Sequence, residues 1–136
     1  MKLQVGVKVL LQNSKDEYLL IRRSHSMNGE PEAHWDIPGG RIKPEEKLHE
    51  ALEREIREET GLEIDGAFQL LAAQDIMVPA KDLHVVRLTY TTSGEGNVII
   101  SDEHQDILWV TAQEAFDLNL DPYLHEALSL LLGRDS

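Results

Sequence analysis

The chain contains no cysteine, which excludes disulfides, zinc–thiolate sites and thiol catalysis. Aromatic residues make up only 5% of its 136 residues, so Trp35 and Trp109 stand out among large side chains that are mostly aliphatic. Positive charge is scarce as well: 13 Lys and Arg face 25 Asp and Glu, for a net charge of −12. That balance argues against a surface that coats nucleic-acid polymers or lies on anionic membranes. No apolar run approaches the length of a membrane span. The apolar stretch at 5–11 is short, is broken by Lys8 and has no small-residue cleavage site after it, so it reads as a strand and not as a signal peptide. The expectation is one soluble, cytoplasmic domain over 1–136, monomeric or homodimeric and large enough for a single core.

What the chain has in excess is glutamate, concentrated in one place. Residues 45–65 carry nine acidic and three basic side chains, a balance of −6 and half of the net charge. Within 40–62, GRIKPEEKLHEALEREIREETGL, seven glutamates lie between the pair Gly39-Gly40 and Gly61. After Pro44, tolerated in a first helical turn, nothing breaks a helix before Gly61, which stands where a left-handed cap would end it. At about 100° per residue, with Glu55 as zero, Leu48, Ala51, Leu52 and Ile56 fall between roughly −40° and +100°. Glu59 lies at about +40° and Glu58 at about −60°, while Glu50, Glu53 and Arg57 face the other way. Glu55 and Glu59 therefore share the apolar stripe, with Glu58 at its edge. Carboxylates on a buried face are costly unless paired. Arg54 pairs with one at most on this reading, so a divalent cation is the expected counter-charge. An anionic, phosphate-bearing substrate would need the same cation.

The remaining segments alternate. Strands are expected at 5–11 and 18–23, joined as a hairpin by the turn residues Asn13-Ser14-Lys15-Asp16, then at 62–64, 67–76, 83–92, 98–100 and 107–110. Thr111 and Glu114 form a capping box opening a helix to about residue 118. Asp121-Pro122 opens a leucine-rich helix that Gly133 ends. The expected architecture is α/β (α+β): a mixed sheet with the acidic helix on one face and the C-terminal helices on the other.

Gly40, Glu46, Arg54-Glu55-Ile56, Glu58-Glu59 and Gly61-Leu62 have the spacing G-x5-E-x7-R-E-U-x-E-E-x-G-U, where U is a bulky aliphatic residue. This resembles the Nudix box at all nine specified positions, over 23 of 136 residues. The order of elements is also similar to the Nudix α/β/α sandwich. The resemblance implies hydrolysis of a diphosphate bond in a nucleoside diphosphate linked to another group, of which ADP-ribose is one example. A nucleoside-triphosphate pyrophosphohydrolase that clears damaged or non-standard nucleotides, and a nucleotide sensor without catalysis, are the alternatives.

Carried over by position, the resemblance makes Glu55, Glu58 and Glu59 metal ligands, with the Gly39 carbonyl and Glu103 as further ligands. Asp102 and Asp106 rival Glu103. Glu55 or Glu103 would be the general base, and Glu46 and Arg54 would orient the carboxylates. Magnesium, or manganese in its place, suits hard oxygen ligands shared with phosphates. Outside the box, Arg22 or Arg23 would meet a phosphate or base edge, and Trp35 or Tyr90 would stack on a base. The alternative for each is a packing role or a solvated strand end. Pro79 stands near the position where a proline accompanies ADP-ribose hydrolases of the family. The six histidines show no paired ligand spacing.

Overall fold

The computed structural model describes residues 1–23, 34–64, 66–99 and 104–133. In chain order its elements are strands β1 (Lys2–Gln12), β2 (Tyr18–Arg23), β3 (Trp35–Asp36) and β4 (Gly39–Arg41), then helix α1 (Leu48–Thr60). Strands β5 (Gln69–Val78), β6 (Leu83–Ser93) and β7 (His104–Val110) follow, and helices α2 (Ala112–Ala115) and α3 (Pro122–Leu131) close the chain. Among the described residues, no helix is long and apolar enough to cross a membrane.

The sheet is mixed. Its main path runs β3-β2-β1-β6-β5, with β4 also paired to β1 and β7 to β2. β1 lies parallel to β6 over eleven registered pairs, from Lys2↔Leu83 to Gln12↔Ser93. Every other pairing is antiparallel. Because side chains alternate across a strand, the apolar run of β1 feeds two cores. Val7, Val9 and Leu11 pack with Leu19, Ile21 and the α1 residues Ala51, Leu52 and Ile56. Leu10, on the opposite face, packs with Leu20, Trp35, Ile37 and the helical residues Ala112, Ala115, Leu124 and Leu128. The result is the expected three-layer arrangement, α1 on one side and α2 with α3 on the other.

The hairpin expected from the first two strands closes only at its turn. Gln12 faces Tyr18, and Asn13 Oδ1 caps the turn by accepting from the amides of Lys15 and Glu17, each at 3.0 Å. Beyond that rung the strands diverge, and residues 35–41 enter the split. β3 pairs with β2 at Ile21 and Arg22, while β4 pairs with β1 through Gly6↔Arg41, Val7↔Gly40 and Lys8↔Gly39. Pro38 lacks an amide but its carbonyl accepts from Val9 N at 2.9 Å, so the connection between β3 and β4 stays hydrogen-bonded to β1. This insertion places Gly39 and Gly40 beside α1.

Other expectations shift. Residues 62–64 form no strand, although Leu62 is buried against the α1 core. Ile99 is not in a strand either: its amide donates to the last helical carbonyl, Thr60 O, at 2.8 Å, and Ile100 lies outside the described residues. The helix after Thr111 is a single turn, with the capping box present as expected.

Candidate active site

α1 enters through a loop whose polar groups are satisfied locally. Glu46 Oε1 accepts from Lys43 N at 2.9 Å and Glu50 Oε1 from Lys47 N at 2.8 Å, so two acids of the box region close the helix entrance. At the other end Gly61 takes the left-handed conformation (φ 75°) and donates to Arg57 O. The buried face is Ala51, Leu52, Ile56 and Thr60. Leu48, expected on that stripe, is 38% exposed because it lies in the first turn beyond the sheet's reach.

Arg54 gathers the glutamates. Its Nε and Nη2 hold Glu46 at 2.7 and 3.0 Å, and Nη1 donates to Glu55 Oε1 at 2.8 Å and Glu58 Oε2 at 3.2 Å. Nη2 also reaches the Arg41 carbonyl at 3.1 Å, tying α1 to the end of β4. The guanidinium holds Glu46 at a pKa of about 2, and the same bonds raise the pKa of Arg54. One cation thus meets three carboxylates, where the sequence suggested one.

Glu55 and Glu59 face the glycine pair. A β-carbon at Gly40 would stand 2.7 Å from Glu55 Oε1 and 2.9 Å from Oε2, so the carboxylate occupies the space that a side chain would fill. Gly39 (φ 149°) donates its amide to Glu59 Oε1 at 3.2 Å. Burial, and then a hydrogen bond that the protonated Glu59 carboxyl donates to Glu55, push the Glu59 pKa up to about 8, against the pull of the Lys8 charge. Two hard oxygen donors against bare backbone form a set that could hold a small divalent cation. The residues present fit such an ion. Glu58 is 54% exposed and shares Arg54 Nη1 with Glu55. Among the described residues, no three acidic or imidazole groups converge at ligand spacing.

The residues singled out beyond the box are scattered. Arg22 grips Asp106 Oδ2 at 2.6 and 3.0 Å and lies 4.7 Å over the Trp35 ring. Trp35 is buried in the α3-side core, so its ring packs the interior with Arg22 as its cover. Tyr90 is half-buried against the α1-side core. Arg23 ends β2, but its side chain, like Asp102 and Glu103, lies outside the described residues.

A polar cluster on the α3 face of the sheet was not anticipated. Arg87, buried in β6, holds both oxygens of Asp36 at 2.9 and 3.2 Å and approaches Asp121, the N-cap of α3, at 3.4 Å. Lys8 joins it at 3.4 Å from Asp36 Oδ2 and donates to Ile37 O at 3.2 Å. Burial raises the Asp36 carboxyl, but Lys8 and Arg87 outweigh it and hold the group near 2. The available signals were two cations, Lys8 and Arg87, interrupting apolar strands, where a charge needs a partner.

The model of the NUDIX domain matches residues 2–131. The chain belongs to the Nudix family. Membership carries the enzyme class, a pyrophosphohydrolase acting on nucleotide derivatives. Nucleoside triphosphatase NudI of Salmonella agona (strain SL483) is 31% identical over 122 residues, covering 82% of this chain and 85% of that protein. The MutT protein from Methanosarcina mazei Go1 superposes with a TM-score of 0.80 at 26% identity, over 93% of this chain and 91% of that one. The NUDIX domain of Shewanella oneidensis NrtR, complexed with ADP ribose, shares the fold at a TM-score of 0.76 and 18% identity, over 98% of this chain and 88% of that one.

Proposed function

We propose that this Nudix pyrophosphohydrolase cleaves a phosphoanhydride bond of a nucleoside triphosphate, using a divalent cation held by Glu55 and Glu59. The observation that carries the reading is the pair of carboxylates set against the glycine backbone, Glu55 packed on Gly40 and Glu59 accepting from the Gly39 amide. Magnesium, or manganese, bound there supplies charge neutralisation for the phosphate oxygens and a lowered pKa for a bound water. Glu58, held by Arg54 here, would be a further ligand, and Glu103 is the proposed late carboxylate. Arg54 and Glu46 keep Glu55 oriented. The attacking water forms a new P–O bond, its proton passes to Glu55 or Glu103, and the bond to the bridging oxygen breaks. Arg23 is the proposed phosphate contact, since Arg22 and Trp35 are engaged with each other.

The triphosphate class is favoured by the likeness to NudI, which spans most of both chains. A nucleoside diphosphate derivative such as ADP-ribose is the second reading, supported by the complete box and by the ADP-ribose complex of a protein with this fold. The test is a magnesium-containing screen of triphosphates, ADP-ribose, nucleotide sugars and diadenosine polyphosphates with the full chain, reading phosphate products. Pyrophosphate with a nucleoside monophosphate is expected from at least one triphosphate. Absence of product from every compound would refute hydrolysis, and product from ADP-ribose alone would move the substrate class. Glu55→Gln and Glu59→Gln should each lower kcat by about 100-fold or more with the circular dichroism of the folded protein retained.

A further inference from the structure

Lys8 is an odd residue for its place. It interrupts β1 between Val7 and Val9, both fully buried, and a lysine at such a position is expensive unless its charge is matched. Its ammonium donates to the Ile37 carbonyl at 3.2 Å and stands 3.4 Å from Asp36 Oδ2. Its stem runs along Gly39: a β-carbon there would lie 2.8 Å from Lys8 Cδ and 2.7 Å from Lys8 Cα. Gly39 is the registered partner of Lys8 across β4 and β1 and donates its amide to Glu59.

We propose that Lys8 is a positioning residue that pins the Ile37–Gly40 backbone against α1 and thereby fixes the Glu59 carboxylate for the hydrolysis proposed above, on which this inference rests. The anchor behind it is rigid. Asp36 accepts from Arg87 twice and from its own neighbour Ile37 N at 2.8 Å, and Arg87 bridges onward to Asp121. Lys8 is the member of that cluster whose stem lies against Gly39, the residue whose amide donates to Glu59. An ammonium here does what a neutral side chain of equal length cannot: it holds a backbone carbonyl and pairs with a carboxylate at once.

The test compares wild type with Lys8→Met, which keeps the stem, and Lys8→Arg, which keeps the charge. In Lys8→Met, kcat should fall about tenfold or more while KM stays within about twofold, because a displaced catalytic carboxylate costs turnover before it costs binding. In the metal-free protein the Gly39 amide should exchange about tenfold faster, with the amides of α3 unchanged. Lys8→Arg should restore both readouts to within about threefold of wild type. Unchanged kcat and Gly39 protection in Lys8→Met would overturn the inference. So would equal losses in the two variants, or a loss of protection spread over α3, since either marks simple packing. If wild type itself shows no turnover, the proposed hydrolysis fails, and the Gly39 amide still decides whether Lys8 pins this backbone.

Discussion

A β-carbon added at Gly40 would meet the far end of one flexible side chain, the Glu55 carboxylate, whereas one added at Gly39 would lie 2.0 Å from the carbonyl oxygen of Val7. Neighbouring glycines therefore separate function from folding. Gly40→Ala can be accommodated by swinging Glu55 aside, so it should cost less than about 1 kcal/mol of stability yet lower kcat by about tenfold or more. Gly39→Ala has no such exit, because its clash is with backbone and its φ of 149° is one that L-residues rarely adopt. It should destabilise by about 2–4 kcal/mol or prevent folding. Urea denaturation and steady-state kinetics on both variants check the pair. A Gly40→Ala protein with wild-type kcat would show that Glu55 does not need its present position. From the sequence a tight turn and a site glycine were equally good accounts of Gly39-Gly40. What separates them is the distance to carboxylates fifteen and twenty residues away, which no local pattern contains.

Elements whose signals are local were the legible ones. α1 could be drawn from a 3.6-residue period and Gly61, and α2 and α3 from Thr111-Glu114 and Asp121-Pro122, because caps and periodicity are written within a few residues. The strand partnerships were not. β1 pairs with β6, eighty residues away, and the split between β1 and β2 is filled by a segment whose two short strands carry little pattern of their own. Arg87 was visible as one residue of an alternating strand, but its partners Asp36 and Asp121 come from two other parts of the chain. The two N-caps differ for that reason. Thr111 accepts from Glu114 N and its helix is one turn long, so Thr111→Ala should cost about 0.5–1 kcal/mol. Asp121 accepts from Tyr123 N and Leu124 N, each at 3.0 Å, and also faces Arg87. Asp121→Ala should cost about 2–3 kcal/mol, the cap together with part of the Arg87 pairing. Asp121→Asn, which keeps the cap and loses the charge, should fall between them. Equal losses for the two alanine variants by urea denaturation would mean that Arg87 draws nothing from the helix end.

Over the whole molecule the decisive quantity is a net charge of −12 with half of it gathered at 45–65. Concentrated like charge opposes the compact state, and Arg54 already serves three of the acids concerned. A divalent cation at Glu55 and Glu59 would relieve this in two ways, by screening that any salt provides and by specific binding that only the native arrangement offers. The two are separable. Specific binding stabilises by about 2.7 kcal/mol at a hundredfold excess over Kd, which for a chain of this size is a Tm rise of several degrees. Magnesium at a hundredfold excess over Kd should therefore raise Tm by about 9 °C, and sodium chloride of equal ionic strength should raise it by much less. In Glu59→Gln the metal-free protein should be at least as stable as wild type, since the buried acid is no longer asked to ionise, and its magnesium response should collapse toward that of sodium. A Tm shift that sodium reproduces in full, or one that survives unchanged in Glu59→Gln, would mean that the acidic face only gathers counterions and that the ligands lie elsewhere.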